Sequence, residues 1–141
     1  MLGLHPGAGA GTVLAALATG LARLGAVPGV TVVICAKNEE QNLRKHLPHV
    51  LRQEYPEFEV VVVDDGSGDG GTQAVLAEFR TRLPLVDASA PQNEGRARAR
   101  NRGWRAARGA SILFLDDDAF PDPGWVDAMA AALTRDGVVC V

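Results

Sequence analysis

The stretch "FEVVVVDDGSGDGGT", residues 58–72, decides how the rest of the chain is to be read. Its first six residues are nearly all apolar, as expected of a strand covered on both faces. The run ends abruptly in Asp64 and Asp65, passes through a glycine-rich loop, and gives way to a helix-like segment from Thr72 to Arg82. A buried strand that leads through a polar loop into a helix is half of a strand–helix–strand unit.

The same alternation extends in both directions. "VTVVIC" (30–35) reads as a buried strand, and Leu43, Leu47, Val50 and Leu51 then recur on one helical face. Asn38 is the expected N-cap of that helix, with Glu39 and Glu40 at the positive end of its dipole, and Pro48 is expected to kink or break it. Downstream, "LPLVDA" (83–88) forms a short strand, Glu94 to Arg108 a helix and "SILFL" (111–115) a fourth strand. Pro123 to Thr134 forms a helix with Pro123 in its first turn, and "GVVCV" (137–141) a fifth strand. The pattern predicts an α/β fold with a mostly parallel sheet and helices on both faces. Ligands of such sheets bind beyond the carboxyl ends of the strands. Three charged loops fall there: 36–40, 64–71 and 116–120.

Bulk properties set the outer limits. A chain of 141 residues fits one domain, with hydrophobic residues at 47% and charged residues at 22%. A net charge of −3 argues against binding nucleic acid over the whole surface. Cys35 and Cys140 lie in apolar runs with no disulfide or metal spacing, which suits buried free thiols in a reducing, cytoplasmic compartment. Residues 1–29 form a Gly/Ala-rich leader with no lysine before Lys37. The stretch from Pro6 to Ala22 is short of the ~20 apolar residues that span a bilayer. A short helix from Val13 to Leu24, lying on the domain or at the cytoplasmic face of a membrane, is the modest reading; a remnant of a membrane anchor is the other.

The loop at 64–71 admits several chemistries. A calcium loop would place Asp65, Ser67 and Asp69 at its first, third and fifth positions, but Leu76 stands where a bidentate glutamate is required. A dinucleotide fingerprint fits Gly66, Gly68 and Gly71, with Asp87 as the ribose acid, yet Asp64 and Asp65 would then face a pyrophosphate with no cation between. A third reading has the aspartate pair accept hydrogen bonds from a base or ribose, and a fourth makes the segment a solvated turn.

Asp116, Asp117 and Asp118 follow the fourth strand directly. If the strand's alternation continues, Asp116 and Asp118 point one way and Asp117 the other. Two carboxylates on one side of a strand end suit a hard divalent cation that also binds phosphate oxygens. An aspartyl-phosphate phosphatase would carry Thr or Val where Phe120 stands. An acidic surface turn is the bland alternative. The segment 94–108 holds six arginines; Arg98, Arg102 and Arg105 share one face and Arg96 and Arg100 another, so no single basic stripe results. With Trp104 as its only aromatic, it is a poor RNA-binding helix. His46 and His49 read as surface or core-edge residues away from the acidic loops, and Phe114 and Trp125 as packing residues.

Taken in order, "VTVVICAKNEEQNL", "EVVVVDDGSGDGG", "NEGRARARNRG" and "ILFLDDDAFP" resemble the family 2 glycosyltransferases, which have the GT-A fold. The resemblance spans roughly residues 30 to 139. It implies a nucleotide-diphosphate sugar donor (a UDP-sugar foremost), Mn²⁺ or Mg²⁺, and inverting transfer to an acceptor hydroxyl in cell-wall or polysaccharide synthesis. Carried over residue by residue, donor binding falls to Ala36, Glu39, Asp64, Asp65, Arg100 and Asp116. Within that set Glu39 lies near the nucleoside, Asp65 or Asp64 at the base or ribose, and Arg100 at the diphosphate. Asp118 and Asp116 match the D-x-D, with Asp118 the closer to the metal. The family's general base belongs to a later, acceptor-binding half. Asp122, Asp127 and Asp136 do not match it, so residues 30–141 are expected to be a donor-binding portion without a base of its own, with a non-catalytic nucleotide-binding module or remnant as the alternative.

Overall fold

The computed structural model describes residues 29–82 and 84–135. Four strands form a wholly parallel sheet in the order β3-β2-β1-β4: β1 is Val30–Ala36, β2 Phe58–Asp64, β3 Leu85–Asp87 and β4 Ser111–Asp116. The helices between and after them are α1 (Glu40–Leu51), α2 (Gly71–Phe79), α3 (Arg96–Ala106) and α4 (Trp125–Leu133). The expected α/β architecture is therefore present. The expected leader helix and fifth strand lie outside the described residues.

The two central strands explain the apolar runs. Val60, Val61, Val62 and Val63 of β2 are all fully buried, because alternate valines enter opposite cores. Val30, Val32 and Ile34 of β1 join Val60 and Val62 in the larger core, with Leu43, Leu47 and Val50 from α1, Leu76 and Phe79 from α2, and Val126 from α4. Val33, Val61 and Val63 face the other way, onto Ala99 of α3. Three helices thus cover one face and one covers the other. On that second face α3 lies directly on the sheet: a Cβ on Gly103 would stand 2.4 Å from Val33 Cγ1.

A buried carboxylate secures the turn that joins α3 to β4. Glu59 of β2 is 1% exposed and accepts from Thr31 Oγ1 (2.8 Å), the Arg108 backbone N–H (2.7 Å) and the Arg108 guanidinium (2.7 Å). A buried charge is tolerable only when paired and hydrogen-bonded in this way.

Several element boundaries differ from the sequence reading. Asn38 does not cap α1; Glu39 occupies that position without a side-chain cap, and Asn38 has a φ of 54°. Its side-chain oxygen is used elsewhere, accepting the Gly68 N–H at 3.1 Å, which ties the first loop to the second. Pro48 does not end α1, which runs on to Leu51. The apolar face carrying Leu43, Leu47 and Val50 gains more from remaining packed than the one lost backbone bond costs. Pro123 precedes α4, whose N-cap is Gly124 at φ 84°.

Candidate functional site

The order β3-β2-β1-β4 places the reversal of chain direction across the sheet between β1 and β4. An open crevice of about 470 Å³ lies at the carboxyl ends of these two strands, where doubly wound sheets bind their ligands. Val33, Cys35 and Ala36 of β1 and Phe114 and Leu115 of β4 line its inner part, with Ala99 of α3. Its rim carries two kinds of charge. Glu39, Asp65 and the triplet Asp116, Asp117 and Asp118 are acidic; Lys37, Arg96 and Arg100 are basic.

Asp64 and Asp65 are adjacent but differently engaged. The Asp64 carboxylate is 2% exposed, accepts from the Ser67 N–H and hydroxyl and from Gln73 Nε2 at 2.8 Å, and is not among the lining residues. It shapes the loop. Asp65 lines the crevice and accepts the Glu94 N–H at 2.7 Å and the Gly95 N–H at 3.0 Å, which leaves further acceptor capacity on both oxygens. This arrangement requires the loop to pass close to the segment before α3. At Gly66 (φ 70°) a Cβ would come within 2.2 Å of the Gln92 backbone, so glycine is demanded twice over. Asp87 does not line the crevice; it pairs with Arg80 and Ser89.

At β4 the strand ends with Asp116, and Asp117 and Asp118 form a turn. Strand alternation therefore stops one residue too early to sort the triplet, and all three aspartates line the crevice. Asp116 and Asp118 are exposed and Asp117 is half-buried. Burial, and then the charges of Glu39, Asp118 and Asp116, push the Asp117 carboxyl up to about 6. The turn thus concentrates negative charge that the protein offsets only in part. Arg100 Nη2 approaches Asp116 Oδ1 only to 3.8 Å, with both side chains at least half exposed. Such a pair is worth about 0–1 kcal/mol, so a ligand can separate it readily. The Arg100 guanidinium also lies 5.7 Å from the Phe114 ring centroid.

Among the described residues no three His, Cys, Asp or Glu side chains form a group able to enclose a metal ion. At the floor, Cys35 is a free thiol. Burial foremost pushes it up to about 11, with Arg100 opposing and Asp65, Asp117 and Asp116 reinforcing.

The sequence reading needs three corrections here. Phe114, expected to be a packing residue, is 47% exposed and lines the crevice; Trp125 does pack on the core. His46, expected to lie away from the acidic loops, is buried with Nδ1 3.0 Å from the Asp117 carbonyl. Asp117, set aside as the middle residue, shares the crevice. Lys37 and Arg96 were also missed. Lys37 follows the end of β1, and Arg96 lies one helical turn before Arg100, so strand-end position and i,i+4 spacing were the available signals.

A parallel sheet with a charged crevice at its switch point defines a doubly wound class of α/β fold that binds ligands at that edge. Within that class the match is specific: the profile described as Glycosyl transferase family 2 covers residues 31–141, and the chain belongs to that family. It is 35% identical over 115 residues to glycosyltransferase AglE of Haloferax volcanii, covering 79% of this chain and 38% of AglE. The crystal structure of S. aureus TarS 1–349 in complex with UDP-GlcNAc superposes with a TM-score of 0.68 at 31% identity, covering 74% of this chain and 30% of that one. Mannosyltransferase PcManGT from Pyrobaculum calidifontis, in complex with GDP-Man and Mn²⁺, gives a TM-score of 0.72 at 28% identity, covering 92% and 41%. The chain therefore spans well under half the length of these relatives. Among the described residues no helix is long and apolar enough to cross a membrane.

Proposed function

We propose that residues 30–141 form the donor-binding portion of an inverting glycosyltransferase that takes a nucleotide-diphosphate sugar, foremost a UDP-sugar, together with a divalent cation. The observation that carries this reading is the division of charge around one crevice. The aspartate turn after β4 and the cations of α3 and the end of β1 line the same crevice, with the loose Arg100–Asp116 pair at 3.8 Å between them. An acidic site can hold an anionic diphosphate only if a cation joins the two.

The aspartate turn fits such a cation. It offers exposed carboxylates at Asp116 and Asp118 but no enclosing cage, as suits a hard ion held by one or two carboxylates while waters and phosphate oxygens complete its shell. Mn²⁺ or Mg²⁺ would be held by Asp118, assisted by Asp116, and would supply charge neutralisation at the diphosphate. Arg100, with Arg96 and Lys37 beside it, bonds the phosphate oxygens; guanidinium groups suit that contact because they can donate two parallel bonds. Asp65 and Glu39 meet the nucleoside, where a carboxylate can accept from a ribose hydroxyl or a base N–H. Ala36 contributes the end of β1 beside them, and Asp64 supports the loop from within.

No general base is assigned. Neither Asp122 nor Asp127 lines the crevice, and Asp136 lies outside the described residues. The acceptor is likewise left to the part of the relatives that this chain does not span. The free thiol of Cys35 is in keeping with a reducing, cytoplasmic setting. Calorimetric titration with UDP tests the reading: binding should require Mn²⁺ and fall at least tenfold in Asp118→Ala. Equal binding with and without the metal would overturn it.

A further inference from the structure

The segment between β4 and α4 is held to α1 and to the residues just after it by two contacts that donor binding does not require, and one of them falls on the aspartate turn. His46 is 6% exposed, with Nδ1 3.0 Å from the Asp117 carbonyl oxygen. Two residues past the end of α1, Gln53 Nε2 donates to the Asp122 carbonyl at 2.8 Å and Gln53 Oε1 accepts the Val126 N–H at 3.1 Å. The loop between β4 and α4 is thus held by α1 near its start and by the segment following α1 near its end. Phe120 closes over the first contact, its ring centroid 4.1 Å from that of His46 and 4.9 Å from that of His49.

The ring nitrogens of His46 are unequally supplied. A carbonyl oxygen can only accept, so Nδ1 must carry a proton. Nε2 is buried without a partner in the structure. The hydrogen bond therefore has a definite direction, and it ends on the backbone of the residue between Asp116 and Asp118.

We propose that His46 is a positioning residue for the aspartate turn: its Nδ1–H bond to the Asp117 carbonyl sets where the Asp116 and Asp118 carboxylates stand, and so sets the affinity for the divalent cation. This rests on the reading of the turn as a cation site. Residues that orient ligand groups from behind typically matter by about 10–100-fold in metal affinity. Leu43, Leu47 and Val50 already anchor α1 to the core, so the helix does not need His46 to stay in place.

The test compares His46→Ala, His46→Asn and His46→Gln in the 141-residue chain, with Mn²⁺ affinity read by electron paramagnetic resonance in the presence of UDP. Asn places an amide N–H near the Nδ1 position; Gln places it near Nε2. The expected result is about a tenfold loss for Ala and Gln, with Asn within about threefold of the original chain, whatever the melting temperatures do. Ala binding as tightly as the original, or Asn as weakly as Ala, would overturn the proposal. Ring ¹⁵N shifts of His46 and carboxyl ¹³C shifts of Asp116 and Asp118 give a second readout without metal. They should show a protonated Nδ1, and carboxyl shifts that move in Ala but not in Asn. A protonated Nε2 with bare Nδ1, or carboxyl shifts unmoved in Ala, would overturn it. If the original chain binds no Mn²⁺ while these shifts behave as expected, the cation reading falls and the positioning of the turn stands.

Discussion

Asp64 and Asp65 show how much one residue of register decides. One carboxylate is consumed by Ser67 and Gln73 inside the loop; its neighbour holds the Glu94 and Gly95 amides and faces the crevice. Asp64→Asn should therefore cost about 1–3 kcal/mol in chemical denaturation, because a buried hydrogen-bond set is disrupted. Nucleotide affinity of the folded protein should stay within about threefold. In Asp65→Asn the order reverses, with affinity falling about tenfold or more in calorimetry. Cys35 supplies a prediction with a sign. Burial disfavours the thiolate and raises the thiol to about 11. Alkylation should thus be slow at pH 8 and accelerate about tenfold per pH unit up to that value. A folded pKa above the ordinary 9.0 also means stability is fully present below 9 and is lost as pH rises through about 11. Mass-spectrometric labelling rates and melting curves across pH 7–11 check both. The residue types of the site were legible in the sequence, since strand ends announce themselves by where apolar runs stop. What was not legible was the use of each side chain. Whether Asp64 or Asp65 faces a ligand, and whether His46 reaches the turn, depends on loop paths that hydrophobic periodicity does not encode.

The four strands could be read from the sequence because their cores demand uninterrupted β-branched runs, and β2 was placed within one residue. Helix ends were less legible. Asn38 looks like a cap by type, but the loop-to-loop bond with Gly68 claims its side chain. Pro48 looks like a breaker, but the packed face of α1 outweighs it. Gly103 could not be interpreted before the fold was known; its meaning is the contact of α3 with Val33. Gly103→Ala should destabilise the protein by about 1–3 kcal/mol through overpacking. Adding Val33→Ala should recover part of that loss, so the double mutant is more stable than the sum of the single effects. In the larger core, Phe79→Ala should cost about 3–5 kcal/mol, as expected for an aromatic side chain only 2% exposed. Because Phe79 lies on the opposite face from α3, its effect should add to that of Gly103→Ala. Urea denaturation of the two singles and the double decides this.

Across the whole molecule, one arrangement joins fold to chemistry. Parallel strands bring their carboxyl ends to one edge, the switch between β1 and β4 opens a crevice there, and the crevice receives opposite charges from opposite elements. The chain spans 38% of AglE and 41% of PcManGT, and neither Asp122 nor Asp127 lines the crevice. We therefore predict that the 141-residue chain binds donor without sustained sugar transfer; an assay with radiolabelled UDP-sugar and a panel of acceptors should remain at background. In the proposed arrangement the aspartate turn and the arginines of α3 share one diphosphate through a cation. Crystals grown with UDP and Mn²⁺, with anomalous data collected at the manganese edge, test this directly. One strong peak is expected, bonded to the Asp118 carboxylate and to the diphosphate, with Arg100 on the far side of the phosphates. A diphosphate bound in the crevice with no peak at Asp118, or a manganese peak remote from the triplet, would contradict it.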